Sequence, residues 1–231
     1  MSRGEWISVA GIGVGLFFAL PKYAPEYLPV ALVLVILSVI AYTFWMSGLP
    51  PYTVLSHHFN IEIVDPEGRE ARARKTVTLR PNHPGQDHYA HRDFTLDGSI
   101  TDIRTDPGVK IVEQYKAAGD HTIYVKFPSH LRRFKPVETW IELDCVDTFT
   151  SPNEGAILTI DQPLKKATIE ITLPAQKQPR NARAIKRYSG KDEELSAPKV
   201  MGQRISWSLS RRFRGLPYGQ YEVSWDWNPG P

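Results

Sequence analysis

Strict alternation of apolar and polar residues recurs along most of this chain, and a side-chain period of two is the signature of half-buried β-strands. Thr139, Ile141, Leu143 and Cys145 interleave with Glu138, Trp140, Glu142 and Asp144, and Ala167, Ile169, Ile171 and Leu173 interleave with Thr168, Glu170 and Thr172. Ile205, Trp207 and Leu209, then Tyr221, Val223, Trp225 and Trp227, continue the pattern to the C-terminus. Further strands are predicted at Phe59 to Asp65, Ala71 to Arg80, His88 to Leu96, Val109 to Tyr115, His121 to Phe127, Ala156 to Ile160 and Ala182 to Tyr188. Turn residues such as Asp65-Pro66, Asp97-Gly98 and Asp106-Pro107-Gly108 separate them. So many short strands on a recurring turn spacing argue for an antiparallel β-barrel or β-sandwich, and alternation alone does not choose between the two. Lys191 to Pro198, charged and without period, is predicted as a mobile loop.

The first fifty residues have a different character. Trp6 to Leu20 and Leu28 to Met46 contain no charged side chain, and only Pro21 to Tyr27 separates them. The second run holds 19 residues, which at helical rise reach roughly 28 Å, near the thickness of a hydrocarbon core. The expectation is a membrane-anchored all-β protein: an N-terminal two-helix transmembrane hairpin in residues 1–52, with spans at about 6–20 and 28–46, followed by a β domain over 53–231. The first run is shorter, and a signal peptide is its alternative reading, disfavoured by a single Arg3 offset by Glu5. Gly11, Gly15 and Ala19 form a small-residue stripe, suited to close helix approach within the hairpin or between copies. The single cysteine excludes an internal disulfide framework and favours a cytoplasmic β domain. A net charge of +3 is too mild for a bulk DNA or RNA binder.

No nucleophile elbow, zinc-protease helix, phosphate loop or CxxC occurs, so an enzyme is not expected. Asp87, His88, His91 and Asp93, with His83 nearby, are the best metal candidates, but strand spacing does not converge ligands and no metal is expected. Ser56, His57 and His58 lack an orienting carboxylate, and Cys145 falls in register with the apolar set as an inert thiol. Cationic residues are more suggestive. Arg132 and Arg133 precede Phe134, and Arg211 and Arg212 precede Phe213; a guanidinium beside an aromatic face suits phosphate and base recognition, although for any single cluster a patch facing anionic lipid is the favoured account. Lys75 counts in register with Ala71, Ala73, Val77 and Leu79, so it points to the apolar side, where an ammonium needs an anionic partner or ligand. Trp140 lies on the acidic, outward face of its strand as a candidate stacking or oligomer contact.

The pairing of apolar Trp6–Leu20 and Leu28–Met46 with a cysteine-poor β region ending in Trp225-Asp226-Trp227 resembles the two-transmembrane β-barrel effectors of bacterial cyclic-nucleotide anti-phage systems such as CBASS. That resemblance is architectural and spans the whole chain. It implies a multi-pass protein of the bacterial inner membrane whose β domain binds a cyclic nucleotide. Ligand binding would control self-association of the hairpins, which then disrupt the lipid bilayer and arrest the infected cell. The ligand would contact residues drawn from Lys75, Arg132, Arg133, Phe134, Trp140, Arg211, Arg212 and Phe213, with no cofactor beyond the nucleotide. The alternative is a membrane-tethered β-sandwich that binds another protein and has no small ligand.

Overall fold

The computed structural model describes residues 28–95, 98–117, 120–211 and 215–227. Among the described residues one helix, α1 (Leu28–Ser47), precedes fourteen strands. They are β1 (Tyr52–Ile63), β2 (Glu70–Pro81), β3 (His88–Thr95), β4 (Ser99–Thr105), β5 (Lys110–Ala117), β6 (Asp120–Lys126) and β7 (Val137–Val146). The second half supplies β8 (Asn153–Ile160), β9 (Leu164–Thr172), β10 (Arg180–Tyr188), β11 (Lys191–Glu194), β12 (Lys199–Met201), β13 (Arg204–Ser210) and β14 (Gly219–Asp226). The chain divides into two compact units, Met1–Pro50 and Pro51–Pro231.

Within the first unit α1 is a helix without a single charge, and Val30, Leu34, Leu37 and Val39 on it are exposed. The expected two-helix hairpin is corrected here: α1 is the one helix among the described residues, and Trp6–Leu20 with Gly11, Gly15 and Ala19 lies outside them. The expected multi-pass membrane location is corrected as well. Among the described residues no helix is long and apolar enough to cross a membrane.

The second unit is a β-sandwich, which resolves the choice between barrel and sandwich. A seven-stranded sheet in the order β12-β13-β9-β1-β2-β7-β4 forms one layer. A four-stranded sheet, β11-β10-β14-β8, and a three-stranded sheet, β3-β6-β5, complete it. Trp207 of the large sheet meets Tyr221 of the four-stranded sheet with ring centroids 5.8 Å apart, and Tyr52 on β1 meets Tyr89 on β3 at the same separation. The apolar face of the large sheet therefore receives both smaller sheets. Its fully buried Ile61, Leu79, Ile141, Leu143, Ile169, Ile171 and Ile205 are the inward set of the alternation, as two facing sheets require.

Pairing is antiparallel throughout except for β1 and β9, which run parallel at the centre of the large sheet. A bulge between Val54 and Ser56 shifts the register of β1 against β2. An extra residue in one strand reverses the alternation beyond it. Tyr52 and Val54 are inward before the bulge; His57, Phe59, Ile61 and Ile63 are inward after it.

Three strands differ from the sequence reading: β4, β11 and the three-residue β12. Lys191–Glu194, expected in a mobile loop, pairs with Ile185–Tyr188 as β11, with all four side chains exposed. Backbone hydrogen bonds need no apolar face, so alternation does not reveal such a strand. β4 was likewise not expected, for it is an edge strand with every side chain at least partly exposed.

Candidate functional site: a cavity between β1, β2 and β3

Where the three-stranded sheet meets the large one, packing leaves a cavity of about 300 Å³. Its inner wall carries Tyr52, His57, Lys75, Tyr89 and His91, while Arg92 and Asp161 stand at its more exposed edge. The residues come from β1, β2, β3 and the turn between β8 and β9, far apart in sequence.

Lys75 pairs with Phe59 on one side and Ile141 on the other, in the middle of the large sheet. This register places the ammonium inward, as alternation of β2 requires, and leaves the residue only 2% exposed. Its Nζ donates to the backbone carbonyl of Arg92 on β3. A lysine so deeply placed is uncommon, because desolvating a charge is costly without compensating polar contacts.

Two histidines share this environment. His57 is turned inward by the β1 bulge, and His91 is inward on β3, opposite Ile123 of β6. Burial, then the charge of Lys75, then His91 and His58, hold the imidazole of His57 well below its usual pKa. For His91, burial first and Lys75 second push it down to about 3. Both rings are neutral at physiological pH. Neither nitrogen of His91 has a hydrogen-bond partner among the described residues, nor does Nε2 of His57. Buried polar atoms are nearly always satisfied by protein groups or ordered water, and these three nitrogens belong to residues that line one cavity.

The surroundings are polar but already engaged. The Tyr52 hydroxyl donates to the carbonyl of His88 at 2.5 Å, and burial, reinforced by Asp87, raises its pKa to about 12. Tyr89 packs edge-on to His91, with centroids 5.0 Å apart and planes at 86°. Arg92 and Asp161 pair at 3.5 Å with both side chains about half exposed, a contact that solvent weakens.

Of the residues singled out for ligand binding, Lys75 alone lines this cavity. Arg133 donates through Nε to the carbonyl of Asn82 at 2.9 Å and stacks over Phe134 at 4.4 Å, while Arg132 is exposed. Phe134 adopts a φ of 64°, so the trio forms a turn closed on itself. Arg211 is exposed after β13, and its backbone N–H donates to Lys165; Arg212 and Phe213 lie outside the described residues. Trp140 is on the outer face of the large sheet with the Arg74 guanidinium 4.0 Å above its ring.

The histidine-rich segment divides between two environments. His88 Nδ1 meets Asp87 at 2.5 Å in an exposed pair, with His130 3.7 Å from the same carboxylate, whereas His91 is buried. Among the described residues no group of three His, Cys, Asp or Glu is placed to hold a metal. Ser56 donates to Thr78 Oγ1 at 2.7 Å, and His58 faces outward to Glu170 at 3.3 Å, so Ser56, His57 and His58 are drawn to different partners. Cys145 is 1% exposed, and burial, with Asp144 adding to it, raises its thiol to about 12.

The sequence reading missed His57 and His91 as members of one site. A signal for His91 was present, since it shares a strand face with Tyr89; for His57 the bulge concealed it.

No protein-family model matches the chain, and no curated protein matches it. Among solved structures, it is similar to an M1 zinc metallopeptidase mutant from Deinococcus radiodurans bound to a Tyr-Ser-Ala substrate, at 14% identity and a TM-score of 0.42. A second structure, of M1 zinc metallopeptidase from Deinococcus radiodurans, gives 13% identity and a TM-score of 0.39. In both cases 76% of this chain aligns with 43% of the peptidase, so the chain spans less than half the length of those proteins. Its chemistry rests on its own residues.

Proposed function

We propose that the β-sandwich is a receptor for a small phosphate-bearing ligand, seated in the cavity between β1, β2 and β3 and anchored by Lys75. The observation that carries this reading is the set of unpartnered nitrogens on His57 and His91 around a cavity that Lys75 also lines. An ammonium and two imidazole N–H groups are donors to oxyanion oxygens. Arg92 at the rim adds a second cation, and its exposed pairing with Asp161 yields easily to a competing anion.

A nucleotide is the class favoured, in keeping with the resemblance to cyclic-nucleotide effectors. The cavity volume of about 300 Å³ lies at the small end for ligand pockets and suits one nucleotide better than a cyclic dimer of twice the bulk. Bilayer disruption by a helical hairpin is not part of this proposal, since it needs two spans.

The test is thermal unfolding of the full-length chain against a panel of cyclic mono-, di- and trinucleotides. A ligand selective for the folded state must raise the midpoint. We expect a rise with a mononucleotide that Lys75→Met abolishes. No shift with any member, or the same shift in the variant, overturns the reading.

A further inference from the structure

Cationic stretches far apart in sequence meet at one end of the β-sandwich, and the large sheet fixes their positions. β1 begins at this end with Tyr52, opposite Pro81 at the close of β2. β9 begins beside it, Leu164 pairing with Val54, so Lys165 and Lys166 lie at the same end. β13 finishes there with Ser210 opposite Lys166, and the backbone N–H of Arg211 donates to the carbonyl of Lys165 at 2.9 Å. The turn from Arg132 to Lys135 is drawn to the close of β2, because the N–H of Phe134 donates to the carbonyl of Pro81 at 2.8 Å. In the order β13-β9-β1-β2 these positions span about 15 Å.

Arg132, Lys135, Lys165, Lys166 and Arg211 are all exposed, and none of them forms an ion pair among the described residues. Carboxylates at this end are engaged elsewhere. Asp87 meets His88 and Lys126, Asp161 meets Arg92, and Asp106 accepts from Thr139 Oγ1 and the Trp140 N–H. Glu138, also exposed, offsets a single cation. The opposite end is built differently: Arg69 reaches Asp65 and Glu67 at 3.6 and 3.4 Å, and Arg72 reaches Glu62 at 3.7 Å. Cations gathered within about two Debye lengths and left unpaired repel one another, a strain that an external anionic surface relieves.

The chain itself indicates which surface. It enters the sandwich at this same end, through residues 48–51, directly after α1, a helix with no charge and with Val30, Leu34, Leu37 and Val39 exposed. Exposed apolar side chains favour lipid over water, and basic residues next to such a segment are attracted by anionic headgroups. Single-stranded nucleic acid calls for open aromatic faces, whereas Phe134, the aromatic inside the cluster, lies against the Arg133 guanidinium at 4.4 Å. We propose that this end of the sandwich rests on an anionic lipid surface, with Arg132, Lys135, Lys165, Lys166 and Arg211 against the headgroup phosphates. Such contact is made at the surface and needs no helix that crosses. None of the five lines the cavity, so the inference is independent of the ligand reading.

Co-sedimentation of the full-length chain with phosphatidylcholine vesicles, with and without phosphatidylglycerol, is the test. α1 is the same in every arm, so its own affinity for lipid cancels. Partitioning should rise by roughly tenfold or more with phosphatidylglycerol, since each cation near such a surface contributes about fivefold, and the gain should vanish at high salt. Lys135→Gln/Lys165→Gln/Lys166→Gln should lose most of the gain, and Arg132→Gln/Arg211→Gln a further part of it. Lys177→Gln/Arg180→Gln/Arg204→Gln removes the same charge from the opposite end and should keep the gain. Equal partitioning to both kinds of vesicle overturns the proposal. Equal loss in the two triple variants also overturns it, by reducing the effect to net charge. Failure to bind anionic vesicles, together with retention of a single-stranded oligonucleotide that the first variant loses, overturns it in favour of a nucleic-acid surface.

Discussion

The guanidinium of Arg74 lies 4.0 Å from the centroid of the Trp140 ring, across the β2–β7 pair and on the opposite face of the sheet from its neighbour Lys75. One step along β2 thus separates a cation in a solvated ladder from a cation in the core. On the outer face Arg72 and Arg74 reach Glu142 at 3.8 Å, and Arg104 reaches it at 3.4 Å. The indole is covered by this ladder and is not an open stacking platform.

Trp140→Ala should therefore cost little, about 1 kcal/mol, because a partly exposed cation–π contact is worth that much. Chemical denaturation measures the loss. Ligand-induced stabilisation should be unchanged in the variant, since Trp140 does not line the cavity.

Lys75→Met should leave the fold at least as resistant to heat as the wild type. Replacing a buried charge by an apolar chain of similar length removes its desolvation cost, although the carbonyl of Arg92 loses a donor. Thermal midpoints of both proteins without ligand provide the comparison. A collapse of the variant would show Lys75 to be a structural pillar.

His91 links stability to acid. Its pKa is about 3 in the folded chain against an ordinary value of 6.5, so between these limits the unfolded state binds the extra proton. Stability is then complete above pH 6.5, is lost as pH falls from 6.5 toward 3, and does not fall further on this account below 3. Unfolding curves across this window should show a shallower decline for His91→Leu. An identical slope in the variant would show that another group carries the acid sensitivity.

Gly68 should tolerate no side chain. Its φ is +75°, and a Cβ there would lie 1.7 Å from the carbonyl oxygen of Phe149. Gly68→Ala must therefore displace backbone and should destabilise by more than about 2 kcal/mol, measured by denaturant unfolding. Gly85, at a similar φ of +78° but with open space around it, should lose far less on the same change.

Much of the sandwich could be read from the chain itself, because a period of two states which side chains share a face without reference to any partner. Residues 139–145, 167–173, 205–209 and 221–227 bury the set that their alternation names, with Leu209 alone only partly covered, and Lys75 is inward for the same reason. α1 is equally legible as an uncharged apolar run, whereas the expected pair of helices and the membrane crossing were inferences about assembly that local pattern does not determine.

Tertiary structure alone decided the site. A one-residue bulge between Val54 and Ser56 turns His57 inward, and no residue type in that stretch announces it. The parallel pairing of β1 with β9, and the docking of β3 over β2, bring Tyr52, Val54, His57, Lys75, residues 89–92 and Asp161 around one cavity. Periodicity assigns each of them a face of its own strand; which strands then meet is set by the packing of whole sheets, a long-range energy that no local window of sequence contains.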